Sequence, residues 1–274
     1  MIDEKRLIWY NILMRIVNLT SGSDGNMTYV ESEEVKILID IGVSCRDAEK
    51  RLSLIGVDPN QISAILVSHE HSDHIKGIDG FSSKYNTPVF AHHEVWYGLD
   101  EKLKKVSANN RKMYDGDRFG FRDVVVCAIK VPHDVPCYSY SIIKNQKKVS
   151  ILTDLGHTTD RILESIRGSN IVYLEANYDE KMLKEGTKYP LALKRRIAGK
   201  FGHLSNTDSA RTILYLVQNG TKQIVLSHIS KENNTPDLAF DYITNILSQY
   251  GVIEGENVKI DVASTNVGTI FRIV

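Results

Sequence analysis

Short apolar runs rich in β-branched residues recur along the 274-residue chain, each closed by a polar or glycine-bearing stretch. Runs of this length and make-up predict strands. They fall at Arg15–Leu19, Thr28–Val30, Val35–Asp40, Ala64–Ser68, Pro88–Ala91, Val124–Val131, Tyr138–Ile143, Val149–Thr153, Ile171–Glu175, Gln223–Ser227, Val258–Val262 and Thr269–Ile273. Helices are interspersed. One runs from Cys45 to about Ile55, with Ser44 as N-cap and Gly56 as its stop. Another, from about Thr207 to Val217, follows Ser205 and Asn206 and halts near Gly220. A third spans about Pro236 to Gln249, capped by Thr235, with proline at the tolerated first-turn position. Two strand-rich halves, each followed by helices, predict an α/β (α+β) fold of two sheets packed face to face with helices outside. The strand-end loops would gather along one edge of that sandwich.

No repeat, low-complexity tract or long Pro/Gly/Ser linker interrupts the pattern, so one domain is expected over residues 14–274. The first clear strand begins at Met14, and residues 1–13 are expected to be an N-terminal extension. Their apolar core is short and lacks a small-residue cleavage site, which argues against a signal peptide. A hydrophobic content of 42% with 25% charged residues suits a soluble globular protein with a sizeable core. Lys+Arg and Asp+Glu balance at 34 each, so binding to nucleic acid or anionic membrane would have to rest on a local patch. No apolar run approaches the roughly 18–20 residues of a membrane span, and no membrane partner is expected. Cys45, Cys127 and Cys137 are odd in number and form no CxxC pair, which fits a reduced, cytoplasmic setting better than a disulfide framework.

The chemistry concentrates after the run Ala64-Ile65-Leu66-Val67. Ser68-His69-Glu70-His71-Ser72-Asp73-His74 places imidazoles and carboxylates in a loop at a strand end. Ligands of this type and density suit zinc, manganese or iron rather than calcium. Further candidates close other strands: His133 and Asp134 after Val124–Val131, Asp154 after Val149–Thr153, and His228 after Gln223–Ser227. Loops leaving buried strands are where sites are commonly built. With His69, His71, Asp73 and His74, the residues His133, Asp154 and His228 supply the seven ligands that a two-metal centre uses. Asp40, ending its own strand, supports a ligating histidine or caps the turn before Gly42. His92 and His93 match no motif and read as structural, and His157 lies close to Asp154 but outside the ligand set.

With these residues in view, the sequence resembles the metallo-β-lactamase superfamily, whose pattern is His-x-His-x-Asp-His followed by a distant His, an Asp and a final His. Within it the chain resembles the YycJ/WalJ group of small bacterial proteins. That closer likeness rests on Ser21-Gly22-Ser23-Asp24-Gly25-Asn26, Leu38-Ile39-Asp40-Ile41-Gly42 and Thr153-Asp154-Leu155-Gly156-His157. It continues through Leu174–Asp179, Gly202-His203-Leu204-Ser205-Asn206 and Leu226–Asn234. The resemblance implies a four-layer αββα sandwich of two mixed sheets and a site for two divalent metals (zinc or manganese, with iron also accepted by such ligands). His69, His71 and His133 would hold one ion; Asp73, His74 and His228 the other, with Asp154 bridging. Two such cations share a hydroxide and clamp the oxygens of a displacement at phosphorus, and Asp73 and Asp154 would orient that hydroxide.

Ligands alone do not name a substrate. Glu175 and His203 resemble the acidic and histidine motifs that nuclease members place beside the metals, where the histidine serves the leaving oxygen. The segment from Lys181 to Lys200 carries Lys181, Lys184, Lys188, Lys194, Arg195, Arg196 and Lys200 against a single acid, Glu185. Cations there would grip a polyanionic backbone without reading its sequence. Arg195, Arg196 and Lys200, with Ser205 and Asn206 of the histidine motif, are therefore the expected substrate contacts, and Tyr178 and Tyr189 offer stacking faces. No large inserted clamp domain separates Asp154 from His228, so recognition would come from the core fold, a partner, or a second subunit in a homodimer. The expected activity is a phosphodiesterase acting on DNA, an exonuclease whose 5′-to-3′ polarity comes from the resemblance alone. A hydrolase of small or cyclic phosphodiesters is the runner-up. An acyl hydrolase (thioester or lactone) would leave Glu175 and His203 without a task, and a redox role would need a flavin module.

Overall fold

A computed structural model of the chain describes residues 14–273; the extension expected at residues 1–13 lies outside the described residues. The first sheet is built from β1 (Met14–Thr20), β2 (Met27–Glu31), β3 (Lys36–Ile39), β4 (Ala64–Leu66), β5 (Val89–His92) and β6 (Arg111–Tyr114), with β14 (Phe271–Ile273) on its outer side. The second contains β7 (Arg118–Phe121), β8 (Val124–Val131), β9 (Cys137–Lys144), β10 (Lys147–Leu152), β11 (Ile171–Glu175), β12 (Gln223–Ser227) and β13 (Lys259–Val262). Both sheets are mixed, as expected. In the first, β14, β1, β2 and β3 pair antiparallel and β3 to β6 pair parallel. In the second, β7 to β10 pair antiparallel and β10 to β13 pair parallel. The chain thus repeats one topology twice, although no repeat is visible in its residues.

Parallel neighbours need long crossovers, and helices supply them. They are α1 (Cys45–Leu54), α2 (Ser72–Ile75), α3 (Ile78–Tyr85) and α4 (His93–Leu99) in the first half. The second half has α5 (Asp160–Ile166), α6 (Glu180–Glu185), α7 (Leu191–Ile197), α8 (Asn206–Gln218) and α9 (Pro236–Gln249). The expected caps Ser44 and Thr235 are present, accepting the Asp47 and Leu238 N–H groups, and Ser205, expected as a substrate contact, caps α8 by accepting the Asp208 N–H. Each satisfies a donor that the first helical turn leaves unpaired.

Strands buried on both faces explain the near-continuous apolar runs. Along β10 and β11, Val149, Ile151, Ile171 and Tyr173 enter the core between the sheets, while Leu152, Val172 and Leu174 pack with α5, α8 and α9. The alternation follows from the two-residue period of a strand. Strands β6 and β7 were not expected from sequence. Both are short, with exposed Lys112, Met113, Arg118 and Gly120, and they form sheet edges where an apolar run is neither needed nor safe.

Candidate active site

The candidate residues lie in loops that leave one edge of the sandwich. Asp40 follows β3, His69 to His74 follow β4, and His133 follows β8. Asp154 follows β10, Glu175 ends β11, and His228 follows β12. Three of them, Asp40, Asp154 and His228, have left-handed backbone at φ 59°, 61° and 53°. Non-glycine residues adopt this conformation at a cost, and it turns the chain sharply as it leaves the strand.

The buried or partly buried side chains converge in overlapping groups. Ligand-type atoms of His69, His71 and His133 lie within 4.8 Å of one another, as do those of Asp73, His74 and His228. Those of His69, His74 and Asp154 form a third group, and those of Asp154, Glu175, His203 and His228 a fourth. All seven expected ligands are thus brought together, with Glu175 and His203 alongside. Arg196 lines the same cleft of about 200 Å³, whereas Arg195 and Lys200 do not.

Hydrogen bonds on the far side of each ring decide which nitrogen faces inward. His74 donates its Nδ1 hydrogen to Asp40 Oδ2 at 2.8 Å, and His228 donates its own to Glu175 Oε1 at 2.7 Å. His133 Nδ1 donates to the Gly202 carbonyl at 3.3 Å, and His69 Nδ1 lies 2.9 Å from Ser68 Oγ. His71 is turned the other way: its Nε2 faces Asp134 Oδ1 at 3.4 Å, and its Nδ1 meets His133 Nε2 at 3.4 Å. Bonds of this kind orient a metal-binding imidazole and raise its basicity. Asp40 also accepts the Ser68 N–H at 2.8 Å and the Ser68 hydroxyl at 2.7 Å, so it supports His74 rather than merely capping a turn.

What remains is a set of buried atoms without hydrogen-bond partners: His69 Nε2, Asp154 Oδ2 and His228 Nε2. His228 Nε2 stands 3.5 Å from Asp154 Oδ1 and 3.8 Å from Asp73 Oδ2. Buried polar atoms are rarely left unpaired, and imidazole and carboxylate atoms converging this way fit divalent transition metals.

Charge is arranged to match. Burial pushes the His69, His71 and His133 imidazoles below the usual histidine range, so they are neutral and ready to donate a lone pair. Burial also opposes charge on His74, yet Asp154 and Asp40 outweigh it and lift that ring to about 9. His228 is raised well above its ordinary value against the same burial, chiefly by Asp154. Burial also opposes charge on the part-buried Asp73 and the buried Asp154 and Glu175, but their histidine neighbours hold all three below the usual carboxylate range. Protons on His74 and His228 thus balance the carboxylates, and an entering cation would displace them.

Glu175 is fully buried and serves two rings. Its Oε1 accepts from His203 Nδ1 at 2.8 Å as well as from His228, and its Oε2 accepts the Leu155 and Leu204 N–H groups. His203 therefore presents Nε2 to the cleft, which it lines.

The expected substrate contacts divide. Ser205 and Asn206 are buried: Ser205 caps α8, and Asn206 pairs with Asn234 at 2.8 and 3.2 Å, so both build the helix start instead of meeting a substrate. Within the basic segment, Arg196 is bound to Asp134 through Nε and Nη2. Lys194 donates to the Lys184 and Gly186 carbonyls at the end of α6, and Lys188 pairs with Glu232. Tyr178 is buried, while Tyr189 lines the cleft. Sequence reasoning missed Asn26, whose amide nitrogen lies 3.0 Å from His74 Nε2, and Asn177, which donates to the His228 carbonyl at 2.8 Å. It also gave no role to Asp134 beside His71 and Arg196; its place next to His133 was the available signal.

A family model described as the beta-lactamase superfamily domain matches residues 36–229. The exodeoxyribonuclease YycJ of Bacillus anthracis is 36% identical over 245 residues, covering 88% of this chain and 92% of that protein. The exodeoxyribonuclease WalJ of Streptococcus pneumoniae is 34% identical over 255 residues, covering 92% and 94%. Among solved structures, the metallo-beta-lactamase fold protein YhfI from Bacillus subtilis superimposes with a TM-score of 0.70 at 15% identity, covering 94% of this chain and 99% of that one.

Proposed function

The chain belongs to the metallo-β-lactamase superfamily, within the group of YycJ and WalJ, and on that footing we propose that this metal-dependent hydrolase is a DNA exonuclease. His69, His71 and His133 would hold one cation and Asp73, His74 and His228 the other, with Asp154 a further carboxylate ligand. Zinc and manganese both suit these ligands. Bound there, two divalent cations would supply Lewis-acid charge and lower the pKa of a nearby water. The rest falls to the side chains. Asp73 and Asp154 orient the attacking water, His203 gives a proton through Nε2 to the oxygen leaving phosphorus, and Glu175 fixes the His203 ring. Arg196, at the cleft wall, meets the phosphate.

The observation that carries this reading is the His203–Glu175 pair, 2.8 Å apart beside the converging ligands. A leaving alkoxide needs an acid, and a histidine held by a buried carboxylate supplies one. Digestion from the 5′ end is the polarity the resemblance implies. A cytoplasmic setting is consistent with Cys45, Cys127 and Cys137, all present as free thiols; no helix among the described residues is long and apolar enough to cross a membrane. The His203→Ala holoenzyme should lose roughly a hundred- to ten-thousandfold in hydrolysis of single-stranded DNA ends, with metal content unchanged by elemental analysis. Undiminished cleavage would remove His203 from the reaction. End-labelled DNA and RNA, incubated with Mn²⁺ or Zn²⁺ and sized over time, read out polarity and substrate together. A second reading, hydrolysis of a small phosphodiester, draws on the small cleft of about 200 Å³; it requires cyclic nucleotides to be turned over faster than any DNA end.

A further inference from the structure

Asn18, Tyr173 and Ser227 are 4%, 1% and 2% exposed. Asn18 Oδ1, the Tyr173 hydroxyl and Ser227 Oγ nevertheless have no hydrogen-bond partner among the described residues. Interiors rarely leave such atoms unpaired. All three residues line one cavity of about 20 Å³, and eight of its eleven lining residues carry polar side chains, among them Thr28, Asp40 and Thr153. The local chain explains the placement. β1 slips its register on β2 between Asn18 and Thr20, and a bulge of this kind re-aims a side chain. Asn18 Nδ2 donates to the Thr20 carbonyl at 2.9 Å, which leaves Oδ1 as the free end of the amide. The Asn18 N–H faces the Tyr173 oxygen, so that hydroxyl keeps its own hydrogen for another acceptor.

The cavity lies directly behind the converging ligands. Ser227 is followed by His228, whose N–H donates to Ser21 Oγ at 2.7 Å. Thr153 is followed by Asp154, and Asp40 holds His74 at 2.8 Å. The three unpaired atoms form a matched set. Asn18 Oδ1 only accepts, whereas Tyr173 and Ser227 each have a hydroxyl hydrogen to give. A buried water makes about three hydrogen bonds and needs roughly 10–15 Å³, so one molecule fits both the space and the bonding. A monovalent cation would use oxygen lone pairs alone. It would leave both hydroxyl hydrogens unused and add charge beside the proposed divalent ions.

We propose that this cavity holds one ordered water, which donates to Asn18 Oδ1 and accepts from the Tyr173 and Ser227 hydroxyls. The water ties β1 of the first sheet to β11 and β12 of the second. Asn18 and Tyr173 line the cavity and not the cleft, so they act as positioning residues. Through the water they hold Ser227, and with it the sharp turn at His228, where φ is 53°. The His228 ring is thereby kept in place against ligands that come from the first sheet. No proposed step of hydrolysis uses this water; its task is to hold a ligand loop.

The test combines high-resolution crystallography of the metal-loaded enzyme with chelator competition for each of the two ions, on wild type, Tyr173→Phe and Asn18→Leu. Wild-type density should show one peak within about 3.2 Å of all three atoms, with no anomalous signal in crystals grown with rubidium. Tyr173→Phe keeps the ring and loses the hydroxyl, so its peak should weaken or vanish; Asn18→Leu should abolish it. In both variants one of the two ions should bind about tenfold more weakly, the low end for loss of a ligand's supporting partner. The other ion and the urea midpoint should stay near wild type. No peak in the wild type, or rubidium at that position, would overturn the water. Equal weakening of both ions in step with the urea midpoint, or wild-type affinity in a variant that has lost the peak, would overturn the positioning role. Should Asn18→Leu not fold, Tyr173→Phe and the wild-type density decide both points. If elemental analysis finds no metal in the wild type, the metal-centre reading falls, and crystals of the purified protein still decide the water.

Discussion

Asp40 shows how one carboxylate governs a site it does not enter. It holds His74 Nδ1 at 2.8 Å and is itself fixed by two bonds from Ser68. Removing a ligand's supporting partner typically weakens metal binding 10- to 100-fold, so Asp40→Ala should weaken binding of one cation by about that factor in a chelator competition. Unchanged affinity would mean that packing alone orients His74. Glu175 is the same device used twice, since one oxygen holds both His203 and His228. Single residues were also where the chain was most readable. Each expected ligand sits directly after an apolar strand, and ligand chemistry leaves few alternatives to His and Asp. Asn26, Asp134 and Asn177 escaped because an amide or carboxylate near a strand end has no spacing of its own; only the fold brings Asn26 to His74.

Loops set the precision of the site through backbone contact. Gly42 packs so closely on the Asp73 loop that a Cβ there would lie 1.7 Å from the Asp73 carbonyl oxygen. A backbone neighbour cannot rotate away, so Gly42→Ala should cost roughly 1–3 kcal/mol in urea unfolding and lower metal occupancy; full occupancy would show that the loop yields. At the opposite end of the sandwich, Asp123 in the β7–β8 turn accepts from Ser32 Oγ and the Glu34 N–H of the first sheet and from Lys144 of β9. Burial there opposes charge, but Lys144 and these donors hold Asp123 below the usual carboxylate range. Its stabilisation is therefore present above the unfolded-state value near 4 and is lost as pH falls through the lower folded-state value. Asp123→Asn should cost roughly 1–3 kcal/mol at pH 7, with the gap to wild type closing in acid; a gap that persists in strong acid would assign the effect to packing. Central strands and the capped helices α1, α8 and α9 were legible because burial on two faces and Ser or Thr caps leave local marks. Edge strands β6 and β7 and the short helices α2 to α7 were not, since tertiary contacts and not residue period decide such pieces.

Across the molecule, the proposed ligands divide between the sheets: His69, His71, Asp73 and His74 follow a strand of the first, and His133, Asp154 and His228 follow strands of the second. Metal binding at these residues would therefore tie the two sheets together. At about a thousandfold above its dissociation constant one bound ion adds about 4 kcal/mol. At 2–4 °C per kcal/mol, loading should raise Tm by roughly 10 °C in a thermal scan against the chelated protein. No shift would mean that the cations do not bridge the halves. The same division has a consequence for biosynthesis. His228 lies far along the chain from the His69 cluster, on β12, which docks beside β11 in the second sheet. A nascent polypeptide that has not yet reached β12 lacks His228, one of the seven expected ligands. The proposed metal site would therefore be completed only once β12 has docked beside β11.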